Sequence, residues 1–273
     1  MKIGVIGAAV WDHYIVIKDF PEEDAMVFAE NEFKHIGGSG ANIAINLGLH
    51  QINPHLFFGT GDDDEGEFLR EILKRYGVAV HSTIEGKTCK TLILLDEKGQ
   101  RRIISLGGNA LFKLNNEKFD DFGIICISDV FPDVAERVFK NKTSLKIYVP
   151  GGFGIYCGVD KIRKISRLAN ITILSEKEAE QIKDYSSLCN IVIVTRGRKN
   201  TQLFSNNSYK EFVVNNVDDV VDTTGAGDAF VSGLVYYLSN SRDIIGAIQY
   251  GQKWASRVIQ KTGANLLSHE EKE

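Results

Sequence analysis

The chain has 273 residues, 43% of them hydrophobic and 25% charged, with a formal net charge of −4; this is the composition of a globular protein with enough apolar residues for a substantial core. Its Lys and Arg residues are scattered rather than gathered into a basic face, which argues against a nucleic-acid partner. The apolar start, MKIGVIGAAV, is far too short to span a bilayer and lacks a cleavage-site pattern, so the expectation is a cytoplasmic protein with no membrane partner.

In chain order, residues 2–8 read as a first buried strand. Residues 13–36 show apolar alternation without a helical period. Gly37-Gly38-Ser39-Gly40-Ala41-Asn42 then opens a helix that runs through Ile43, Ala44 and Leu47. A strand at 55–58 leads through the turn Thr60-Gly61-Asp62-Asp63 into a helix at 65–76 that stops at Gly77. Residues 88–106 form a hairpin turning at Glu97-Lys98-Gly99-Gln100. Strands at 123–127, 145–149, 171–174 and 191–195 follow, interleaved with helices at 134–139, 159–168 and 176–182. This alternation predicts an α/β fold: a doubly wound, mainly parallel sheet with helices on both faces. The β-rich segments 13–36 and 84–107 interrupt it and are expected to meet as one small β-sheet lid.

Several signals carry no chemistry. Gly86-Lys87-Thr88 mimics the end of a P-loop, but His81 stands where that motif needs its first glycine. The dinucleotide fingerprint is missing after the first strand, and the histidines show no metal-binding spacing. Cys89, Cys126, Cys157 and Cys189 are too far apart for a CxxC pair and read as reduced thiols.

The segment that carries chemistry is Asp222 to Asp228, DTTGAGD, which opens a helix beginning Ala229-Phe230-Val231. Gly225, Ala226 and Gly227 would leave unpaired backbone N–H groups at the positive end of that helix, an anion hole without side-chain bulk. Asp228 falls in the first turn, placed to accept a proton from a hydroxyl attacking phosphorus. A glycine-rich helix start by itself also reads as a tight turn whose Asp complements the helix dipole.

The full string DTTGAGD resembles the C-terminal motif of the ribokinase-like (PfkB) carbohydrate kinases, and other landmarks follow in that family's order along nearly the whole chain. The resemblance implies a single ribokinase-like domain over 1–273 and an ATP-dependent kinase acting on a hydroxyl of a sugar or sugar-like molecule. A nucleoside is the alternative acceptor, and a non-catalytic sugar or nucleotide sensor the alternative from another class. By the same resemblance, Gly37 and Gly38 bring backbone close to the sugar, Asn42 hydrogen-bonds its hydroxyls, and Asp12, in GAAVWDH, accepts two of them.

Ser175 and Glu178 lie where the family has Asn-x-x-Glu near Mg²⁺ and phosphate; Ser175 departs from that pattern, and Ser-x-x-Glu is equally a capping box. Thr195, Gly197 and Asn200 match the ATP-contacting strand end, although Asn200 stands where many relatives have glycine. Val149-Pro150-Gly151-Gly152 lacks the Asp common after the corresponding strand. Asp222 and Thr224, with Gly263-Ala264, stand where relatives that bind K⁺ place it. Relatives often pair their lids, so a homodimer through lid residues such as Ile15, Ile17, Leu92 and Leu94 is expected.

Overall fold

The computed structural model describes residues 1–141, 144–205, 208–214, 217, 220–261 and 263–264. The chain opens with β1 (Ile3–Ile6), β2 (Val10–Ile17) and β3 (Ala29–Gly37), then α1 (Ser39–Leu49), β4 (His55–Thr60), α2 (Asp64–Arg75) and β5 (Ala79–Ile84). A hairpin of β6 (Lys90–Asp96) and β7 (Arg101–Ser105) follows. Next come β8 (Ile124–Ser128), α3 (Pro132–Phe139), β9 (Leu145–Val149), α4 (Gly151–Cys157), α5 (Val159–Ser166), β10 (Ile171–Ser175), α6 (Glu176–Ile182) and β11 (Ile191–Arg196). The hairpin β12 (Lys199–Ser205) and β13 (Ser208–Phe212) precedes α7 (Ala226–Leu238) and α8 (Ile244–Val258).

The large sheet has the order β13-β12-β11-β10-β9-β8-β1-β4-β5. Its strands from β5 to β11 are all parallel, and the two remaining pairings, β11 with β12 and β12 with β13, are antiparallel. Side chains of a strand alternate between faces, so a sheet covered on both sides needs apolar residues at every position. That is what these strands carry: Ile3, Val5, Ile124, Cys126, Ile171, Ile173 and Ile193 pack with α1, α2, α7 and α8. Ile6, Ile125, Ile127, Leu174, Val192 and Val194 pack with α3, α5 and α6 on the other face.

Winding starts at β1, moves outward to β4 and β5, and later outward the opposite way to β8 and beyond. The order therefore reverses between β1 and β8. In such sheets the crevice beyond the strands' C-terminal ends at this reversal is where ligands bind.

The second sheet has the order β3-β2-β6-β7, with β2 antiparallel to β3, parallel to β6, and β6 antiparallel to β7. It brings together the two segments expected to meet, with one shift of boundary: β2 begins at Val10, before residue 13. The hairpin turns where the sequence places it, its Asp96 carboxylate accepting from the N–H groups of Lys98 and Gln100 at 3.0 and 2.7 Å. This sheet is tied to α2 through Glu65, whose carbonyl accepts from Trp11 Nε1 at 3.0 Å and whose carboxylate meets Lys34 and Lys90. No helix among the described residues is long and apolar enough to cross a membrane.

Candidate active site

Two glycine-rich helix starts meet beyond the reversal point. Gly38 caps α1 with φ 90°, a conformation L side chains rarely adopt. Gly225 caps α7 with φ 73°, and a Cβ there would run into the backbone of Ala264. The helices pack face to face: Asn46 Nδ2 donates to Ser232 Oγ at 3.5 Å, and the Ser232 hydroxyl donates to the Asp228 carbonyl at 2.6 Å. That packing brings Asn42 Nδ2 to 2.8 Å from Asp228 Oδ2, joining two motifs 186 residues apart. The other side-chain atom of Asn42, Oδ1, is buried with no hydrogen-bond partner among the described residues.

Asp228 is pushed up to about 6, chiefly by burial, with the nearby charges of Asp129 and Asp12 adding to the shift and Asn42 and Ser39 opposing it. Asp12, on β2, is likewise pushed up to about 6 by burial, against a hydrogen bond from Thr91 and the charge of Arg101. Its carboxylate fills the space where Gly37 has no side chain. Ala229 N–H closes on the Gly225 carbonyl at 2.8 Å, whereas Ala226 N–H reaches the Thr223 carbonyl only at 3.4 Å. Gly227 and Asp228 lie in the first turn, where a helix offers their N–H groups no acceptor of its own. Helix starts with open donors of this kind attract negative charge, and here Asp228 stands at the edge.

The turn before α7 is clamped by Asp222, whose Oδ1 accepts from Thr224 N–H at 2.8 Å and Oδ2 from Gly263 N–H at 3.0 Å. Burial raises its carboxyl, but a hydrogen bond from the Thr224 side chain, these two bonds and the charge of Arg101 together hold it below the usual range. The small sheet reaches the same turn. Arg101 donates to the Thr224 hydroxyl, and Tyr14, buried and pushed up to about 12, also hydrogen-bonds with Thr224.

On the outer side of α7 lies a cavity of about 600 Å³, lined by Thr195, Gly197, Val220, Ala226, Gly227 and Gln252 among others. Its size suits a nucleotide. Thr195, Gly197 and Gly227 thus share one wall system, but Asn200 does not line it: its side chain donates to Glu211 at 3.0 Å across the β12–β13 hairpin. Ser175 and Glu178 form the capping box of α6, with Ser175 N–H to Glu178 Oε2 at 2.8 Å and Glu178 N–H to Ser175 Oγ at 3.3 Å. Burial still raises Glu178, and the charge of Asp129 adds to it.

Four site residues escape the sequence reading. Asp129, just past β8 at the reversal point, adopts φ 50° and accepts from Ser39 Oγ at 2.7 Å. Its only sequence signal is a carboxylate directly after an apolar strand. Tyr14 and Arg101 sit in strands whose orientation the sequence does not show. Gln252 braces the cavity by donating to Thr201 Oγ1 at 3.1 Å and the Phe212 carbonyl at 3.3 Å, from a helix the sequence reading does not include.

A parallel sheet with its crevice at the reversal point, a nucleotide-sized cavity and a carboxylate at a glycine-rich helix start make a site suited to a phosphorylated ligand. The family pattern of the pfkB carbohydrate kinases matches residues 2–271, and the chain belongs to that family. It is 23% identical to a nucleoside kinase of Methanocaldococcus jannaschii over 96% of this chain and 91% of that protein. It is 26% identical to a ribokinase of Arabidopsis thaliana over 95% of this chain and 76% of that one. Among solved structures, ribokinase from Thermotoga maritima superposes with a TM-score of 0.84 at 22% identity, covering 97% of this chain and 94% of the other. Arabidopsis ribokinase complexed with ribose and ATP gives 0.78 at 22% identity, covering 96% and 94%.

Proposed function

We propose that this protein transfers the γ-phosphoryl group of ATP to a hydroxyl of a sugar or sugar-like acceptor, with Asp228 as general base. The observation that carries this reading is the Asn42–Asp228 contact at 2.8 Å beside the open N–H groups of α7. Asn42 orients the Asp228 carboxylate that would take the acceptor's proton, and its own unpartnered Oδ1 is an acceptor for a second hydroxyl. Asp12 and Asp129 supply further carboxylate oxygens around the same space. The N–H groups of Gly225 to Asp228 face the charge that develops on the transferring group, and the 600 Å³ cavity takes the nucleotide.

Glu178, with Asp129 near it, offers hard oxygen ligands that suit Mg²⁺ through water, as an ion carried by nucleotide phosphates requires. Mg²⁺ there would neutralise phosphate charge. Asp222 beside Thr224 is the position for K⁺, which would hold the turn before α7 in shape. The rate is then expected to rise when KCl replaces choline chloride at fixed ionic strength; a flat response removes the cation from the reading. The small sheet acts as a lid that excludes water from the transfer.

Phosphorylation of a panel of sugars and nucleosides, read by ADP release, tests the function; no turnover of any acceptor would count decisively against it. A second reading, a nucleoside acceptor, is favoured by an aromatic series beside Asp129. Phe131 meets Phe153 edge-on at 5.8 Å, and Phe153 stacks with Tyr156, which is 86% exposed and presents a free ring face. Such a face suits a base.

Asp12→Ala is expected to raise the acceptor KM by about tenfold while the ATP KM moves little, since one hydrogen bond to a charged group is worth roughly 1.5–3 kcal/mol. Equal shifts in both constants would take Asp12 out of the acceptor site. In the edge strand β7, Ile103 and Ile104 are 58% and 48% exposed, and Leu106 just beyond it is 59% exposed. An unpaired apolar edge of this kind calls for a partner. We expect a homodimer through this sheet, and light scattering showing only monomer at working concentration would refute it.

A further inference from the structure

We propose that Arg101, on β7 of the lid, is a catalytic residue that contacts the transferring phosphoryl group and supplies positive charge there; this rests on the phosphotransferase reading above. In the structure its guanidinium donates to the Thr224 hydroxyl, at the turn that leads into α7. That contact uses one of five N–H donors. Among the described residues Arg101 forms no ion pair. Its charge nonetheless favours the ionised forms of Asp12, Tyr14 and Asp222. The guanidinium therefore lies at the turn leading into α7 and acts on Asp12, the carboxylate proposed to hold the acceptor.

A neutral hydroxyl is a weak acceptor for a guanidinium compared with a phosphoryl oxygen, and Arg matches two such oxygens with its planar fork. Thr224 is thus a partner that Arg101 gives up when the anion arrives. An anionic substituent on the acceptor is a poorer fit, because Asp12, Asp129 and Asp228 already gather negative charge around the acceptor space. The next residue shows the contrast: Arg102, on the opposite face of the strand, lies over the Phe20 ring at 4.3 Å. Because Arg101 comes from the lid, the positive charge is complete only with the lid in place. Phosphoryl transfer to water is then suppressed by electrostatics as well as by exclusion.

The experiment compares wild type, Arg101→Ala, Arg101→Lys and Arg102→Ala with the acceptor the panel identifies. Turnover is measured together with calorimetric binding of ADP and Mg²⁺ in the presence and absence of aluminium fluoride, which mimics the transferring group. Arg101→Ala is expected to lose about 10²-fold in kcat, the scale of one charge-stabilising donor, with the acceptor KM within about threefold. It should also lose the tighter ADP binding that aluminium fluoride confers on wild type, while ADP alone binds within about twofold. Arg101→Lys should recover part of both losses, and Arg102→Ala should match wild type. An Arg101→Ala protein that keeps kcat, or keeps the aluminium fluoride gain, overturns the proposal. If the wild type turns over no acceptor, the phosphotransferase reading fails first and Arg101 falls with it.

Discussion

Asp228→Asn is expected to lower kcat by about 10²–10⁴-fold while leaving the fold and ATP binding intact, because asparagine keeps the shape but cannot take the acceptor's proton. Asn42 can still donate to the amide oxygen, so the α1–α7 contact at 2.8 Å survives. A dipole-complementing Asp would cost only about 0.3–1 kcal/mol of stability and leave the rate almost unchanged. Steady-state kinetics with thermal melting as the folding control separates the two, and a rate within a few-fold of wild type removes Asp228 from the chemistry.

The acidity of Asp228 adds a pH signature. With its carboxyl raised from 3.8 to about 6, the folded state binds more protons than the unfolded state between those values. Stability from this group is present at the acid end and is lost as pH rises through the window. At neutral pH the ionised carboxylate is therefore a burden on the fold, and Asp228→Asn should melt no lower than wild type. The wild-type rate should fall as pH drops below about 6, and Asp12, raised to a similar value, makes this a titration of the interacting pair.

The second large effect separates two glycines of one motif. Gly225→Ala places a methyl group against the backbone of Ala264, at φ 73°, where alanine already costs roughly 1–2 kcal/mol. The neighbouring strand of chain cannot withdraw freely, because Gly263 N–H is held by Asp222. The start of α7 must shift, and a displacement of about 1 Å at the anion site is enough to lose roughly 10²-fold in rate. Both melting temperature and kcat should fall. Gly227→Ala meets nothing within 4 Å, and in a helix alanine is favoured over glycine by about 1 kcal/mol. That variant should melt at or above the wild-type temperature yet lose rate, since the added methyl stands on the wall of the cavity proposed to take the nucleotide. Two glycines that moved together in both measurements would contradict this division of labour.

What the sequence made legible follows from locality. The strands of the large sheet are continuous apolar runs because both faces are covered, and the two glycine-rich helix starts declare themselves within a few residues. The elements that escaped do not. β5, AVHSTI, sits at the sheet edge and carries His81, Ser82 and Thr83, so its apolar run is broken. α4 holds three glycines in seven residues, a composition that argues against a helix in isolation. α8 contains Gly246 and Gly251, residues that lower helix propensity. Yet a Cβ at Gly246 would meet Tyr237 of α7, and one at Gly251 would meet Phe230, so both are contact points with the preceding helix.

The site divides the same way. Asn42, Asp228 and Gly225 belong to recognisable strings, whereas Asp129 and Arg101 acquire a role only once the reversal of strand order and the register of the small sheet bring them to the same place. Asn200 belongs to a recognisable string too, and its side chain is bonded to Glu211.

The packing of α1 bears on how the chain is made. Residues from Gly40 to Leu47 are buried all round the helix, and the face that carries Asn42 and Asn46 is covered by α7. On a ribosome, α1 emerges early and α7 about 190 residues later, so at synthesis rates of roughly 5–20 residues per second the apolar helix waits on the order of ten seconds or more for its cover. Through that interval Ile43, Ile45 and Leu47 are candidates for chaperone capture or for clumping with other nascent chains. The same delay is a safeguard on the proposed function: until α7 and the residues through Ala264 have been made, Asn42 and Asp228 cannot meet, and an incomplete chain would not spend ATP.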